Sequence, residues 1–395
     1  MSLTDTPNAN RLHIALFGRR NSGKSSLINA LTGQDIALVS NTPGTTTDLV
    51  SKAMEIQGIG PCLFIDTPGF DDEGELGELR ISRTLKAIEK TDIALLLCED
   101  TTFHEKEILA LLKEKNIPVI PVLNKIDIRE NSDHLATYIE EQCKIHPLLI
   151  SAKEKIRIEL IRQAILEKLP SDFGQQSITG ELVTENDLVL LVMPQDIQAP
   201  KGRLILPQVQ TIRELLDKKC LVVTCTTDKF SATLQALARP PKLIITDSQV
   251  FKAIYEQKPK ESELTSFSVL FAGYKGDIHY YVESAAVIER LTESSRVLIA
   301  EACTHAPLSE DIGRVKLPRL LRKRIGENLQ IDMVAGTDFP QDLTPYSLVI
   351  HCGACMFNRK YVLSRIERAR EQHIPMTNYG VAIAFLNGIL DQIKY

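Results

Sequence analysis

Three observations predict an α/β fold in three parts, a larger first domain followed by two smaller α/β domains with parallel sheets. Apolar runs of strand length alternate with helix-period segments almost to the end of the chain. The first of these runs turns through a glycine-bounded loop directly into a helix. Two polar stretches interrupt the alternation and place the domains at residues 1–172, 181–260 and 265–395. A chain of 395 residues exceeds one ordinary core and fits two to three domains of about 100–200 residues. With 44% hydrophobic and 25% charged residues it reads as a soluble globular protein, and its net charge of −5 gives no overall attraction to nucleic acid or anionic lipid. No apolar run approaches the ~18 residues of a membrane span, and the start "MSLTDTPNANR" lacks the layout of a signal peptide, so a cytoplasmic location is expected. In that reducing setting the eight cysteines are thiols or metal ligands rather than disulfides. Cys62, Cys98, Cys143, Cys220 and Cys225 occur singly in apolar contexts and read as small buried residues.

The first domain opens with the apolar run Leu12–Phe17 and continues into a helix with Leu27, Ile28 and Leu31 on one face. Between them lies Gly18-x4-Gly23-Lys24-Ser25, the spacing of a phosphate-binding loop. Its backbone N–H groups face the phosphates at a helix N-terminus, Lys24 neutralises the β/γ oxygens and the Ser25 hydroxyl reaches Mg²⁺. Asn21, Ser22 and Ser26 complete this set. "FIDTPGF" ends a strand with Asp66-x-x-Gly69, where Asp66 can hold the Mg²⁺ shell and the Gly69 N–H can contact a γ-phosphate. "PVIPVLNKID" ends another with Asn124-Lys125-x-Asp127, whose Asp127 carboxylate can accept both N1–H and N2–H of guanine. Adenine offers no such donor pair, so the expected nucleotide is GTP. "PLLISAK" supplies Ser151, Ala152 and Lys153 for a backbone contact to guanine O6.

This set, over about residues 10–170, resembles the translation-factor-like GTPases, and more closely the branch containing MnmE and Era. The resemblance implies that "NTPGTTTD" is switch I, with Thr46 ligating Mg²⁺ in the GTP state, and that Asn21 helps hold K⁺ beside the phosphates. Phe70 follows Gly69 where Ras-like enzymes keep a glutamine. Slow GTP hydrolysis, stimulated by K⁺, is therefore expected, with Lys24, Thr46, Asp66 and Gly69 as its catalytic groups. Asp71, Asp72 and Glu73 read either as water-positioning groups or as a solvated acidic loop.

After the helix ending at Leu169-Pro170 and a polar linker, the pattern restarts with "LVLLVMP", the helical "QVQTIRELLDKK", "CLVVTCT" and "PKLIITD". Three strands with crossover helices make a thin parallel sheet with an unprotected edge, so the second domain is expected to dimerise. "EQKPKESELTS" reads as a second break, and "FSVLFAG" as the first strand of the third domain.

In the third domain the run Arg296–Ala300 leads into "EACTH" and Leu348–Ile350 into "HCGAC". The carboxyl ends of parallel strands lie at one sheet edge, so Cys303, His305, His351, Cys352 and Cys355 can converge there, with Gly353 relaxing the turn between the last two thiols. Three thiolates and an imidazole suit zinc; three thiolates alone suit an iron–sulfur cubane with one open corner. Spacing does not choose between them. The basic run "GRVKLPRLLRKR" reads as a solvated helix face or as a docking patch for an acidic partner.

A GTPase domain of this branch, a middle α/β module and a last domain carrying "EACTH" and "HCGAC" together resemble the FeFe-hydrogenase maturation GTPases, the HydF family. The resemblance implies a homodimeric scaffold with a 4Fe–4S cluster on Cys303, Cys352 and Cys355. It also implies a transient di-iron subcluster received from two radical-SAM maturation enzymes and passed to apo FeFe-hydrogenase, with no nucleic-acid or membrane partner. Many members have His-x-His where this chain has Cys303-Thr304-His305. His305 is the nearer match to the family's histidine for the fourth cluster position, with His351 the alternative. The competing expectation is a zinc-stabilised regulatory GTPase acting in RNA modification or ribosome assembly.

Overall fold

The computed structural model describes residues 6–32, 50–56, 58–67, 83–99, 103–170, 173–174, 176–194, 204–302 and 311–395. It divides into two compact units, Met1–Gln175 and Gln176–Tyr395. Among the described residues no helix is long and apolar enough to cross a membrane.

The first unit is built on strands β1 (Leu12–Phe17), β2 (Val50–Ile56), β3 (Gly60–Asp66), β4 (Ile93–Cys98), β5 (Val119–Leu123) and β6 (Leu148–Leu149). Their order is β2-β3-β1-β4-β5-β6, and every pairing is parallel except that of β2 with β3. Alternate residues of β1 enter different cores. Leu12, Ile14 and Leu16 pack with Leu27, Ile28 and Leu31 of the helix Lys24–Thr32 and with Ile161 and Ile165 of the helix Ile158–Glu167. Ala15 and Phe17 point the other way, against Ile108, Leu109 and Leu112 of the helix Phe103–Glu114 and Ile139 of the helix Ser132–Cys143. A strand covered on both faces is apolar at nearly every position, which is why β4 reads as a continuous run and β1 as one interrupted only by the buried His13. Each fully buried leucine or isoleucine stabilises this sandwich by roughly 1.5–3 kcal/mol.

The second unit holds two parallel four-stranded sheets. One comprises β7 (Leu188–Val192), β8 (Leu221–Cys225), β9 (Leu243–Thr246) and β10 (Glu263–Ser266) in the order β10-β9-β7-β8. The other comprises β11 (Arg296–Glu301), β12 (Gln330–Ala335), β13 (Leu348–His351) and β14 (Met376–Asn378) in the order β12-β11-β13-β14.

The first of these sheets has one strand more than expected, and the extra strand comes from the stretch read as a linker. Of β10, Leu264 is the one apolar residue; Thr265 and Ser266 are buried through hydrogen bonds, which a hydrophobicity pattern does not register. Thr265 Oγ1 donates to Lys394 O (2.7 Å) and Lys394 N donates to Leu264 O (2.9 Å), so the chain's last residues cover the β10 edge. The opposite edge strand, β8, has Leu221 52% exposed.

A second difference follows directly. "FSVLFAG" lies in a helix, Phe267–Lys275, because the Ser266 hydroxyl accepts from Val269 N (3.2 Å) and caps its first turn. A short apolar run buried all round has no periodicity that separates strand from helix. Phe267, Leu270 and Phe271 complete the core of the β7–β10 sheet, so the expected boundary between 260 and 265 cuts across a sheet and its covering helix. Val269 and Ala272 belong to a larger core that runs through both sheets, from Leu190 and Ile244 to Leu298, Val349 and Ile366.

Candidate functional site

In the first unit the carboxyl ends of β1, β3, β5 and β6 deliver the expected nucleotide residues to one edge. Lys24 is buried, and its ammonium donates to the carbonyls of Gly18 (2.8 Å) and Arg19 (2.7 Å) at the loop's own mouth. Ser25 Oγ donates to Asp66 Oδ2 (3.0 Å). Burial pushes the Asp66 carboxyl above its usual range, against the opposing pull of Ser25 and Lys24. Its Oδ1 is buried with no hydrogen-bond partner among the described residues. An orphaned carboxylate oxygen beside a serine hydroxyl is a donor set that suits a hard cation, and it fits Mg²⁺. Thr67, just past β3, is tied back to β1 by its hydroxyl on Leu16 O (2.6 Å).

Asn124 fastens the three loops of this edge together. Its Nδ2 donates to Ser22 O (3.1 Å) in the phosphate loop, and its Oδ1 accepts from Ala152 N (2.9 Å) in the Ser151–Lys153 turn. Gly23 makes room for it: at φ +96° a side chain is disfavoured, and a Cβ there would lie 2.2 Å from Asn124 Nδ2. Lys125, at φ +65°, donates from Nζ to Asn21 O, laying its stem along the loop. The exposed Asp127 carboxyl is held below its usual range chiefly by a hydrogen bond with Ser151, then by Lys153 and Lys125 nearby. Asn21 and Ser26 are exposed, Ser22 is buried and Lys153 is exposed. Thr46, Gly69 and the segment Phe70 to Glu73 lie outside the described residues.

In the second unit β11 and β13 are neighbours, with Ala300 paired to His351, so the segments following them share one sheet edge. Ala302 N donates to Cys352 Sγ (3.0 Å), and so does Ala354 N (3.4 Å). Cys352 and Cys355 are both partly exposed thiols. Cys303, the residue after Ala302, and His305 lie outside the described residues. Among the described residues no group of three or more His, Cys, Asp or Glu side chains is gathered as a metal site. The donor set nevertheless suits an iron–sulfur cluster, since amide N–H groups aimed at a sulfur are what stabilise thiolate on iron. The turn between the thiols does not use Gly353 as expected. Ala354 takes the left-handed conformation, φ +51°, and a Cβ on Gly353 would meet nothing within 4 Å.

His351 is fully buried and both ring nitrogens are engaged. Nε2 faces Arg365 Nη1 (2.8 Å), which can only donate, so the ring proton sits on Nδ1 and is given to Cys352 O (2.8 Å). Burial, with Arg365 beside it, pushes the imidazole down to about 3 and keeps it neutral. In this arrangement neither ring nitrogen of His351 is open to a further ligand. Asn378, which caps the helix Tyr379–Leu386, donates from Nδ2 to the same Cys352 carbonyl (3.2 Å).

Arg365 and Asn378 were not singled out from sequence, though Arg365 carried a signal. Tyr361, Arg365 and Ala369 recur at helical spacing on the buried face of the helix Arg359–Glu371. The basic run is partly committed: Arg314 pairs with Glu301 (3.3 Å) and Lys316 donates to Gln249 (2.7 Å), while Arg319, Lys323 and Arg324 are exposed. Of the remaining cysteines, Cys62, Cys98, Cys143 and Cys220 are buried as expected and Cys225 is half-buried.

Comparison with known proteins agrees with this division. A family model described as 50S ribosome-binding GTPase matches residues 13–125. In its N-terminal region the chain is similar to the tRNA modification GTPase MnmE of Nitrosomonas europaea, 38% identical over 174 residues, or 43% of this chain and 37% of that protein. It is likewise similar to GTPase Der of Desulfitobacterium hafniense, 36% identical over 140 residues, or 34% of this chain and 32% of that protein. The chain thus spans about a third of the length of these curated relatives. Among solved structures, Era of Aquifex aeolicus aligns with 57% of this chain and 98% of its own, at 20% identity and a TM-score of 0.35. The first unit is a P-loop GTPase domain. Models described as the hydrogen maturase F dimerization domain and the hydrogen maturase F tetramerization domain match residues 178–276 and 279–394. Together these two span more than half of the 395 residues, and their junction falls just after the helix that closes the β7–β10 sheet. A GTPase domain followed by both of these modules makes the chain a member of the hydrogen maturase F family.

Proposed function

We propose that the chain is a GTP-hydrolysing scaffold that holds a 4Fe–4S cluster on Cys303, Cys352 and Cys355 and delivers a di-iron precursor to apo FeFe-hydrogenase. The observation that carries the cluster is the Ala302 N–H on Cys352 Sγ, which ties the end of β11, one residue before Cys303 in sequence, to the "HCGAC" turn. Membership of the maturase family supports the delivery role. When bound, the cluster supplies an open iron corner to which a second metal unit can attach and from which it can leave. Cys352 holds it with two amide donors on its sulfur, and Cys355 adds a second partly exposed thiol on the same turn. His305 remains the favoured protein group for the fourth position, because His351 is spoken for.

On the nucleotide side, Asp127 selects guanine, Lys24 meets the β/γ-phosphates, and Ser25 with Asp66 holds Mg²⁺, which neutralises the charge that builds on the transferred phosphoryl group. Thr46 and Gly69 complete this set, and Asn21 is the group that makes the rate depend on K⁺. Hydrolysis gates exchange of partners, two radical-SAM maturation enzymes on one side and the hydrogenase on the other. The exposed β8 edge supports a homodimer in which a second copy continues the sheet. The test is anaerobic reconstitution with iron and sulfide. A brown protein with iron and sulfide in equal amounts, active in maturing apo-hydrogenase, is expected; a colourless chain that takes up zinc instead overturns the reading. GTP turnover compared in KCl and NaCl tests Asn21, and equal rates remove its role.

A further inference from the structure

Arg365 is 1% exposed, and among the described residues no carboxylate pairs with it. Its guanidinium lies within 4.6–4.7 Å of the ring centroids of Phe339, Phe357 and Tyr361. One terminal nitrogen donates to His351 Nε2 (2.8 Å), the other to Gly336 O (2.6 Å) and the Tyr361 hydroxyl (3.3 Å), while its Nε has no partner among the described residues. A guanidinium is a permanent cation, and burying one away from any anion costs several kcal/mol, which three aromatic faces and neutral acceptors offset only in part. Such a charge is stable where an anion sits close by. The groups around Arg365 lead in one direction. Gly336 opens the loop after β12, His351 ends β13, and Phe357 follows the Cys352–Cys355 turn, its N–H donating to Ala354 O (3.0 Å). From the guanidinium, two consecutive hydrogen bonds of 2.8 Å reach the Cys352 carbonyl through His351.

We infer that Arg365 is the buried counter-cation of the cluster and the positioning residue of the Cys352–Cys355 turn. The inference rests on the cluster reading above. A thiolate-ligated iron–sulfur cluster is an anion whose negative charge grows by one on reduction, so a fixed neighbouring cation favours the reduced form. The same cation, donating to Nε2, sets the imidazole tautomer whose Nδ1–H holds the Cys352 carbonyl. Charge and geometry therefore act through one side chain, and they separate on substitution.

The experiment is an EPR-monitored redox titration of the full chain, reconstituted anaerobically with iron and sulfide, beside Arg365→Gln and Arg365→Lys. Arg365→Gln should keep a cluster whose reduced fraction at fixed potential falls at least tenfold, a midpoint about 59 mV more negative for one electron. Arg365→Lys, which keeps the charge and loses the fork, should return most of that shift. An Arg365→Gln protein with a full cluster and an unmoved midpoint overturns the inference while leaving the cluster reading intact. If Arg365→Gln does not fold, Arg365→Lys decides alone: a midpoint near that of the unsubstituted chain supports the charge role, and a tenfold change in reduced fraction overturns it. An unsubstituted chain that takes up no iron and sulfide sinks both readings.

Discussion

The two units fasten their functional edges with different chemistry. In the first, a neutral amide does it: Asn124 gives one proton to Ser22 O and takes one from Ala152 N, closing three loops around the phosphate site. In the second, charges do it. Arg365 ties the ends of β12 and β13 together behind Cys352 with no carboxylate partner among the described residues, and the half-buried Glu214 gathers the first residues of the unit onto the helix Leu206–Asp217. A neutral knot holds at any pH and is indifferent to what binds beside it, whereas a charged knot responds to protons, electrons and counter-charge. Independence of the two sites, and a difference in their sensitivity to pH, are therefore what substitutions should reveal.

The largest effects come from removing the groups that meet the ligands. Lys24→Ala should lower GTP turnover by about 10²–10³, the scale for losing one charge-stabilising donor, while leaving reconstituted iron unchanged. Cys355→Ser should do the reverse, losing most of the iron and keeping GTP turnover. Loss of GTP binding in Cys355→Ser would break the comparison, because it would show that one knot depends on the other. Next in size is Asp127→Asn, which should exchange guanine for xanthine preference by roughly a hundredfold, since the amide matches xanthine's altered edge. An unchanged ratio of GTP to XTP turnover refutes Asp127 as the base-reading group.

Asn124→Ala tests the neutral knot itself. It leaves a buried carbonyl and a buried N–H without partners at about 1–3 kcal/mol each, so about 2–6 kcal/mol of stability should be lost in urea unfolding. Because no ionisable group is involved, that loss should be the same at neutral and acidic pH. A loss that changes with pH would mean the knot is coupled to a charge such as Asp66.

The difference between the units also decides what could be read from sequence. Among the described residues, the gathering of the nucleotide motifs at one sheet edge was legible because their spacing states the loop shape: Gly23 must clear Asn124, and Asn124 stands one residue before Lys125 in a recognisable run. The second unit was legible as alternating strands and helices, and the place of Cys352 and Cys355 by the apolar run of β13 before them. Three things were not. The strand β10 is buried through the hydroxyls of Thr265, whose partner Lys394 is far away in sequence, and Ser266, which accepts from Val269 N. The "FSVLFAG" helix is apolar on all sides, so no period marked it. The engagement of His351 depends on Arg365, Gly336 and Phe339, which spacing cannot bring together.

Glu214 offers the sharpest test of the charged knot away from any ligand. Its carboxylate accepts from the backbone N–H groups of Ile178 and Thr179 and from the hydroxyls of Ser177 (2.8 Å) and Thr179 (2.7 Å), with Lys218 at 3.5 Å. Burial alone would raise this carboxyl, but the donors outweigh it and hold it below its usual range. A carboxyl depressed in the folded state contributes stability that is present in full above its unfolded value and is lost as pH falls through the folded one. Glu214→Gln keeps the shape and one acceptor oxygen while removing the charge, and should cost about 2 kcal/mol at neutral pH, within the range for hydrogen bonds to a charged group. The gap between Glu214→Gln and the unsubstituted chain, measured by urea unfolding, should then close as the solution is taken below the ordinary carboxylate range. The Asn124→Ala gap, measured alongside, should stay flat. A Glu214→Gln gap that persists in acid would mean that the clasp works through shape rather than charge, and the contrast between the two units would lose its chemical basis.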